Sequence, residues 1–228
     1  MLRSKLFLDH HKQKKLGKLS FFCVCIIILT VIGVSVWYQM PHSCRETVDD
    51  IAVAKIVSSF RGGDVVLRSG VGMWSGLFRE YNEIDKRFSH VGIVVEKDGK
   101  FFILHAEAND LTGQGEVHLS SAEDFIRASS EVGISRLHAL DSKIFVENAL
   151  KLQGRKFDWK FDRKESEMLY CTELVDLALR SVPGGESGLA VGKNDIIPID
   201  SCLDGKYFTE VIPRNDMRHA GNVVSESR

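Results

Sequence analysis

The sequence predicts an α+β domain behind an apolar N-terminal helix. Three observations carry that prediction. Apolar strands from His90 to Val95 and from Phe101 to Ala106 flank the tight-turn pair Asp98-Gly99. A helix with Leu174, Val175, Ala178 and Val182 at helical spacing begins at a lone cysteine, Cys171. Phe21 to Tyr38 run without a single charge.

Residues 1–18 form a basic segment. Residues 1–40 hold six cations (Arg3, Lys5, Lys12, Lys14, Lys15, Lys18) against Asp9 alone. Residues 19–40 supply roughly 20 residues of apolar chain, enough to cross a hydrocarbon core at 1.5 Å per residue. Trp37 and Tyr38 stand at its far end, where amphipathic rings anchor at an interface. Cations before the span, and Glu46, Asp49 and Asp50 after it, predict a single-pass inner-membrane protein with a cytoplasmic N-terminus and a translocated domain. The rival is a cleaved signal peptide, but the run is long for one and no A-x-A site follows.

Thr47 to Phe60 carry Val48, Ala52, Ile56 and Phe60 on one stripe, so residues 41–61 read as a linker ending in a helix, which Gly62-Gly63 stops. Residues 62–213 are the expected catalytic domain. Asp64 to Arg68 reads as a short strand. Met73, Trp74, Leu77, Phe78, Tyr81 and Ile84 follow helical spacing, as core packing or as an apolar wall beside a cleft. After the hairpin, Glu116 to Leu119 is a third strand, Ser120 with Glu123 a capping box, and Gly133 to Ala139 a fourth strand. Asp141 or Ser142 caps a helix that Gly154 stops. The short aromatic stretch Phe157 to Phe161 precedes the Cys171 helix. Glu186 to Pro213 reads as irregular chain wrapping the domain, and residues 214–228 as a disordered tail.

Beyond residue 40 the chain holds 24 Lys+Arg against 30 Asp+Glu, so nucleic acid is excluded as a natural partner. No Cys/His cluster has metal spacing, and no cofactor is expected. Cys44 and Cys202 are a candidate disulfide if the domain lies in an oxidising compartment.

A thiol at a helix N-terminus sits near the positive end of the dipole, which favours the thiolate. It needs a base, and the base needs a partner to hold its ring. His90 opens a strand. His105 and Glu107 lie on the returning strand and share a face, since side chains alternate. His118 and His138 read as structural, and His10, His11, His42 and His219 lie in the flanks.

Gly63-Asp64-Val65-Val66, Ser89-His90-Val91-Gly92-Ile93, Gly154-Arg155-Lys156-Phe157-Asp158 and Tyr170-Cys171-Thr172-Glu173-Leu174-Val175 occur in that order. Together they resemble the YiiX/YaeF-like permuted papain-like amidases, a circularly permuted branch of the NlpC-type cysteine hydrolases. The histidine preceding the cysteine is the mark of permutation. The resemblance runs from about Gly62 to about Val182. It implies a small antiparallel sheet packed on the cysteine helix, with Cys171 as nucleophile and His90 as base. The family's third residue, often Glu, falls on His105 here; the related lecithin–retinol acyltransferase group also uses His. Glu107 is the second choice.

The expected activity is therefore a membrane-anchored cysteine amidase or esterase with a lipid-like substrate. The alternatives are a peptidoglycan-cleaving endopeptidase of the same fold and a non-catalytic module that binds lipid or peptide. Oligomeric state is not legible.

Overall fold

The computed structural model describes residues 26–31, 33, 50–70, 74–109, 112–164 and 167–211. The chain divides into two compact units, Met1–His42 and Ser43–Arg228. In the first, residues 26–31 and 33 are helical and exposed. No helix among the described residues is long and apolar enough to cross a membrane. The expected span 19–40 lies mostly outside the described residues, as do residues 1–18, Cys44 and the tail 214–228.

The second unit opens with helix α1 (Asp50–Ser58), then β1 (Val65–Gly70), α2 (Ser75–Glu80), β2 (His90–Lys97), β3 (Lys100–Ala108), β4 (Gly115–Ser121), α3 (Ala122–Arg127) and β5 (Ser129–Leu137). Helix α4 (Ser142–Leu150), β6 (Lys156–Phe157), β7 (Met168–Leu169), α5 (Cys171–Arg180) and β8 (Phe208–Glu210) follow. The strands form one sheet of eight in the order β7-β6-β4-β3-β2-β1-β5-β8. This corrects the expected small antiparallel sheet: short strands extend both edges, and β6 pairs with β7 in parallel. Two- and three-residue strands leave no alternation for a sequence pattern to show.

Side-chain alternation gives the sheet two buried faces. On one, Val65, Leu67, Val91, Ile93, Leu104 and Ala106 pack against Leu174, Val175 and Ala178 of α5 and Phe145 and Ala149 of α4. On the other, Val66, Val94 and Ile103 pack against Val53 and Ile56 of α1 and Phe125 and Ile126 of α3. Asp141 caps α4 as expected, accepting from the N–H groups of Lys143 and Ile144. The cap of α3 is Ser121 rather than Ser120.

The Gly63-Asp64 motif is structural. Asp64 is buried, accepts from the Arg61 N–H at 2.9 Å and pairs with Arg136 at 2.8 Å. Gly63 adopts φ +88°, and a Cβ there would lie 2.8 Å from Ser142 Cβ. Within Glu186 to Pro213, expected as irregular chain, β8 pairs with β5, and the segment 197–201 bonds both to the start of α5 and to the turn before His90. Ile197 binds the start of α5: its N–H donates to Tyr170 Oη at 3.1 Å and its carbonyl accepts from Thr172 Oγ1 at 2.7 Å. Asp200 accepts from the N–H groups of Glu83, Ile84 and Asp85 at 3.0, 2.6 and 2.9 Å, fixing the turn that leads into His90.

Candidate active site

Cys171 is the first residue of α5, and His90 the first of β2. Helix α5 packs on the sheet face opposite the His90 ring, yet its first turn meets the start of β2. There the backbone N–H groups of Val91 and Thr172 lie close enough to Cys171 to favour its anionic form. Cys171 and His90 line the same cavity.

His90 Nε2 lies 2.9 Å from His105 Nδ1, and His105 Nε2 lies 2.8 Å from Ser120 Oγ. Assigned from this network, His105 carries its proton on Nε2 and donates it to Ser120, leaving Nδ1 to accept from His90. His90 Nδ1 is then the nitrogen left for the thiol. Gly92 makes the contact possible. A Cβ on Gly92 would sit 2.4 Å from Ile103 Cγ2 and 3.1 Å from His105 Cβ. Phe125 walls both rings, 5.8 Å from that of His90 and 5.1 Å from that of His105.

Glu107, the second choice, lies on the same face and takes a different role. One of its oxygens pairs with the buried Arg68 guanidinium; the other is 3.7 Å from His105 Nδ1. Arg68 also stands 4.3 Å over the Phe125 ring. His118 lies opposite His105 in register, with ring centroids 4.4 Å apart. Neither Ser120 nor Arg68 was marked by the sequence. Ser120 reads as a cap, and Arg68 as the polar end of a strand.

Electrostatics decide the resting protonation state. Burial, then the Arg68 cation, hold His90 and His105 well below the ordinary 6.5. Burial pushes the Cys171 thiol up to about 11, against the opposing pull of its backbone donors and Arg68. These effects favour a neutral thiol and a neutral imidazole in the resting site. Desolvation thus opposes the thiolate that the helix N-terminus favours. Cys202 is buried in the core as a free thiol.

The cavity has a volume of about 210 Å³. Its polar end holds Arg68, Glu107, His90 and Cys171, and its walls are aromatic. Phe161 packs on Tyr170, Phe78 and Tyr81 with centroids at 5.1, 5.7 and 6.1 Å, and Trp159 packs on Trp74 at 6.0 Å. The Gly154–Asp158 motif explains this wall. Asp158 is fully buried and accepts from the N–H groups of Lys160 and Asp162, both at 2.7 Å, folding the loop that presents Trp159 and Phe161. Of the apolar stripe in the sequence, Trp74 and Phe78 line the cavity while Leu77 points out, 49% exposed.

Residues 59–221 match the family described as permuted papain-like amidase enzyme, YaeF/YiiX, C92 family. The chain belongs to this family. Membership makes it a cysteine hydrolase of the papain-like type. A similar solved structure is the metalloprotein yiiX from Escherichia coli O157:H7, at 16% identity and a TM-score of 0.50, covering 67% of this chain and 96% of that one. No curated protein sequence matches the chain.

Donor atoms of His90, His105 and Glu107 lie within 4.8 Å of one another. Two nitrogens on one tetrahedral zinc at 2.0–2.1 Å stand about 3.3 Å apart. The 2.9 Å between His90 Nε2 and His105 Nδ1 is a hydrogen bond, and Glu107 is already paired with the Arg68 cation. These residues fit a relay rather than an ion.

Proposed function

We propose that the protein is a membrane-anchored cysteine amidase or esterase that acts on lipid-like acyl substrates through Cys171, His90 and His105. The observation that carries the reading is the cavity of about 210 Å³, which runs from aromatic walls to the His90–His105–Ser120 relay and Cys171. An acyl chain is held by such walls through burial alone, and Arg68 with Glu107 mark the polar end where the scissile bond lies.

In the forward step Sγ attacks the acyl carbon as its proton moves to His90 Nδ1. The carbon–sulfur bond forms, and the carbonyl electrons shift to an oxyanion facing the N–H groups of Cys171 and Thr172. The His90 imidazolium is held by its Nε2–H bond to His105, which Ser120 orients. Collapse breaks the bond to the leaving amine or alkoxide, which takes the proton from Nδ1. Water repeats the sequence on the thioester: it gives its proton to His90, releases the acid, and the proton returns to sulfur.

The test is a substrate panel with full-length protein in mixed micelles. N-acyl amides and acyl esters of 4 to about 12 carbons are compared with muropeptides. Rising kcat/KM with chain length, lost in Cys171→Ala, is expected. Efficient muropeptide cleavage with no acyl-lipid turnover would replace this reading with the cell-wall one.

A further inference from the structure

Exposed apolar side chains are unevenly placed on the catalytic unit. Among the described residues from 50 to 211, the large exposed hydrophobics are Ile51 on α1, Leu77, Ile84, Trp159 and Val191. Trp159 lines the cavity, and Leu77, Ile84 and Val191 each stand within a few residues of one that does. Leu77 lies on α2 between Trp74 and Phe78, both of which line it. Ile84 is 89% exposed, two residues after the lining Asn82. Val191 is 43% exposed, on the turn closed by the Gly192 N–H to Ile196 carbonyl bond, and Ile196 lines the cavity. The Lys193 N–H donates to Glu83 Oε1 at 3.2 Å, tying that turn to the one carrying Ile84. Trp159 is itself part of the wall, 37% exposed.

A monomeric domain scatters its exposed apolar residues; gathering them around one opening marks a surface with an apolar partner. The chain indicates which partner. The apolar run 19–40 is separated from α1 by residues 41–49, which reach about 30 Å even when fully extended. A domain of this size has a radius of gyration of about 15 Å, so the rim can reach a bilayer that holds that run.

We propose that Leu77, Ile84, Trp159 and Val191 form a lipid-docking rim that enters the headgroup–acyl boundary of the bilayer. Substrate then moves from the membrane into the aromatic cavity without crossing bulk water. Side chains of this kind partition into that boundary, tryptophan above all. The proposal rests on the reading of the chain as a membrane-anchored lipid hydrolase.

The test uses full-length protein in phosphatidylcholine–phosphatidylglycerol vesicles, with Cys23, Cys25, Cys44 and Cys171 replaced by Ala; Cys202 is buried. An environment-sensitive fluorophore is placed at Ile84→Cys or, as a control, at Lys100→Cys, at the start of β3 and the far end of the hairpin from His90. Quenching by shallow nitroxide lipids at least twofold stronger at 84 than at 100 is expected. Separately, Leu77→Ser/Ile84→Ser/Val191→Ser with the native cysteines should lose about tenfold on a vesicle-embedded ester and nothing on a soluble short-chain ester. Equal quenching at the two sites, or equal losses on both esters, would overturn the rim. Alkaline carbonate extraction separates this from the anchor reading. A chain that resists extraction but shows no quenching at 84 loses the rim alone. A chain that is extracted yet still quenched at 84 keeps the rim and loses the anchor.

Discussion

The resting state of Cys171 can be tested by alkylation across pH. Papain-like chemistry is often run from a thiolate–imidazolium pair, and that pair requires the imidazolium to hold its proton more tightly than the thiol. Here the order is reversed: His90 is held well below 6.5 and Cys171 is pushed up to about 11. At pH 7 a thiol of pKa 11 is about 0.01% thiolate, against about 3% for an ordinary one near 8.5, a ratio of roughly 300. A more basic thiolate is a better nucleophile, and a Brønsted slope of about 0.4–0.5 over 2.5 units returns roughly 10- to 18-fold. Cys171 should therefore react with iodoacetamide roughly 15- to 30-fold more slowly than free cysteine at pH 7. The assay follows the Cys171 peptide by mass spectrometry in full-length protein with Cys23, Cys25 and Cys44 replaced by Ser. The rate should climb about tenfold per pH unit into the alkaline range. His90→Asn, which keeps the volume but not the base, should leave that profile in place. A reactive plateau below pH 7 that collapses in His90→Asn would establish the ion pair and refute the reasoning.

Three further outcomes follow from the same geometry. His105→Leu removes the 2.9 Å partner of a charge that forms only in the transition state; at about 1.5–3 kcal/mol, kcat should fall roughly 10- to 150-fold with little change in KM, and Ser120→Ala should lose less. Arg68 is the second cause, after burial, of the lowered His90 pKa, so Arg68→Met moves that pKa up; the base is active when neutral, so the acid limb of kcat/KM shifts to higher pH and activity near pH 6 is lost first. Glu173, which accepts from the Tyr170 N–H at 3.2 Å, is raised by burial to about 7. The folded state favours its neutral form, so stability falls as pH rises from about 4.5 to about 7 and then levels, by up to about 3 kcal/mol; Glu173→Gln should flatten that slope in urea denaturation.

What the sequence revealed and what it hid divide along physical lines. Cys171 and His90 are legible because the chemistry sits at element ends, a helix start and a strand start, that local pattern marks. His105 is legible by counting along a hairpin whose turn, Asp98-Gly99, is itself written in the sequence; the observed pairing of Ile93 with Leu104 has that register. Ser120 is hidden because its role comes from the neighbouring strand: β4 pairs it with Ile103, on the His105 face, and that pairing is made across a six-residue connection with no two-residue turn signal in the sequence. Arg68 is hidden for a related reason, since its partner Glu107 is 39 residues away. The protonation state is hidden most deeply. A helix N-terminus is a local feature and argues for a thiolate, whereas the burial that opposes it belongs to the whole fold. The cavity wall falls between these cases: Trp74 and Phe78 follow from helical spacing, but Trp159 and Phe161 reach it through a loop organised by Asp158.

The central claim is that Cys171 becomes acylated with His90 as its base. The measurement is rapid-quench intact mass and peptide mapping of full-length protein mixed with a medium-chain activated ester. An acyl adduct on Cys171 that forms and decays within the turnover time, is absent in Cys171→Ala and forms at least 100-fold more slowly in His90→Asn, is the predicted result. Turnover that continues in Cys171→Ala, or an adduct whose rate ignores His90, would contradict it.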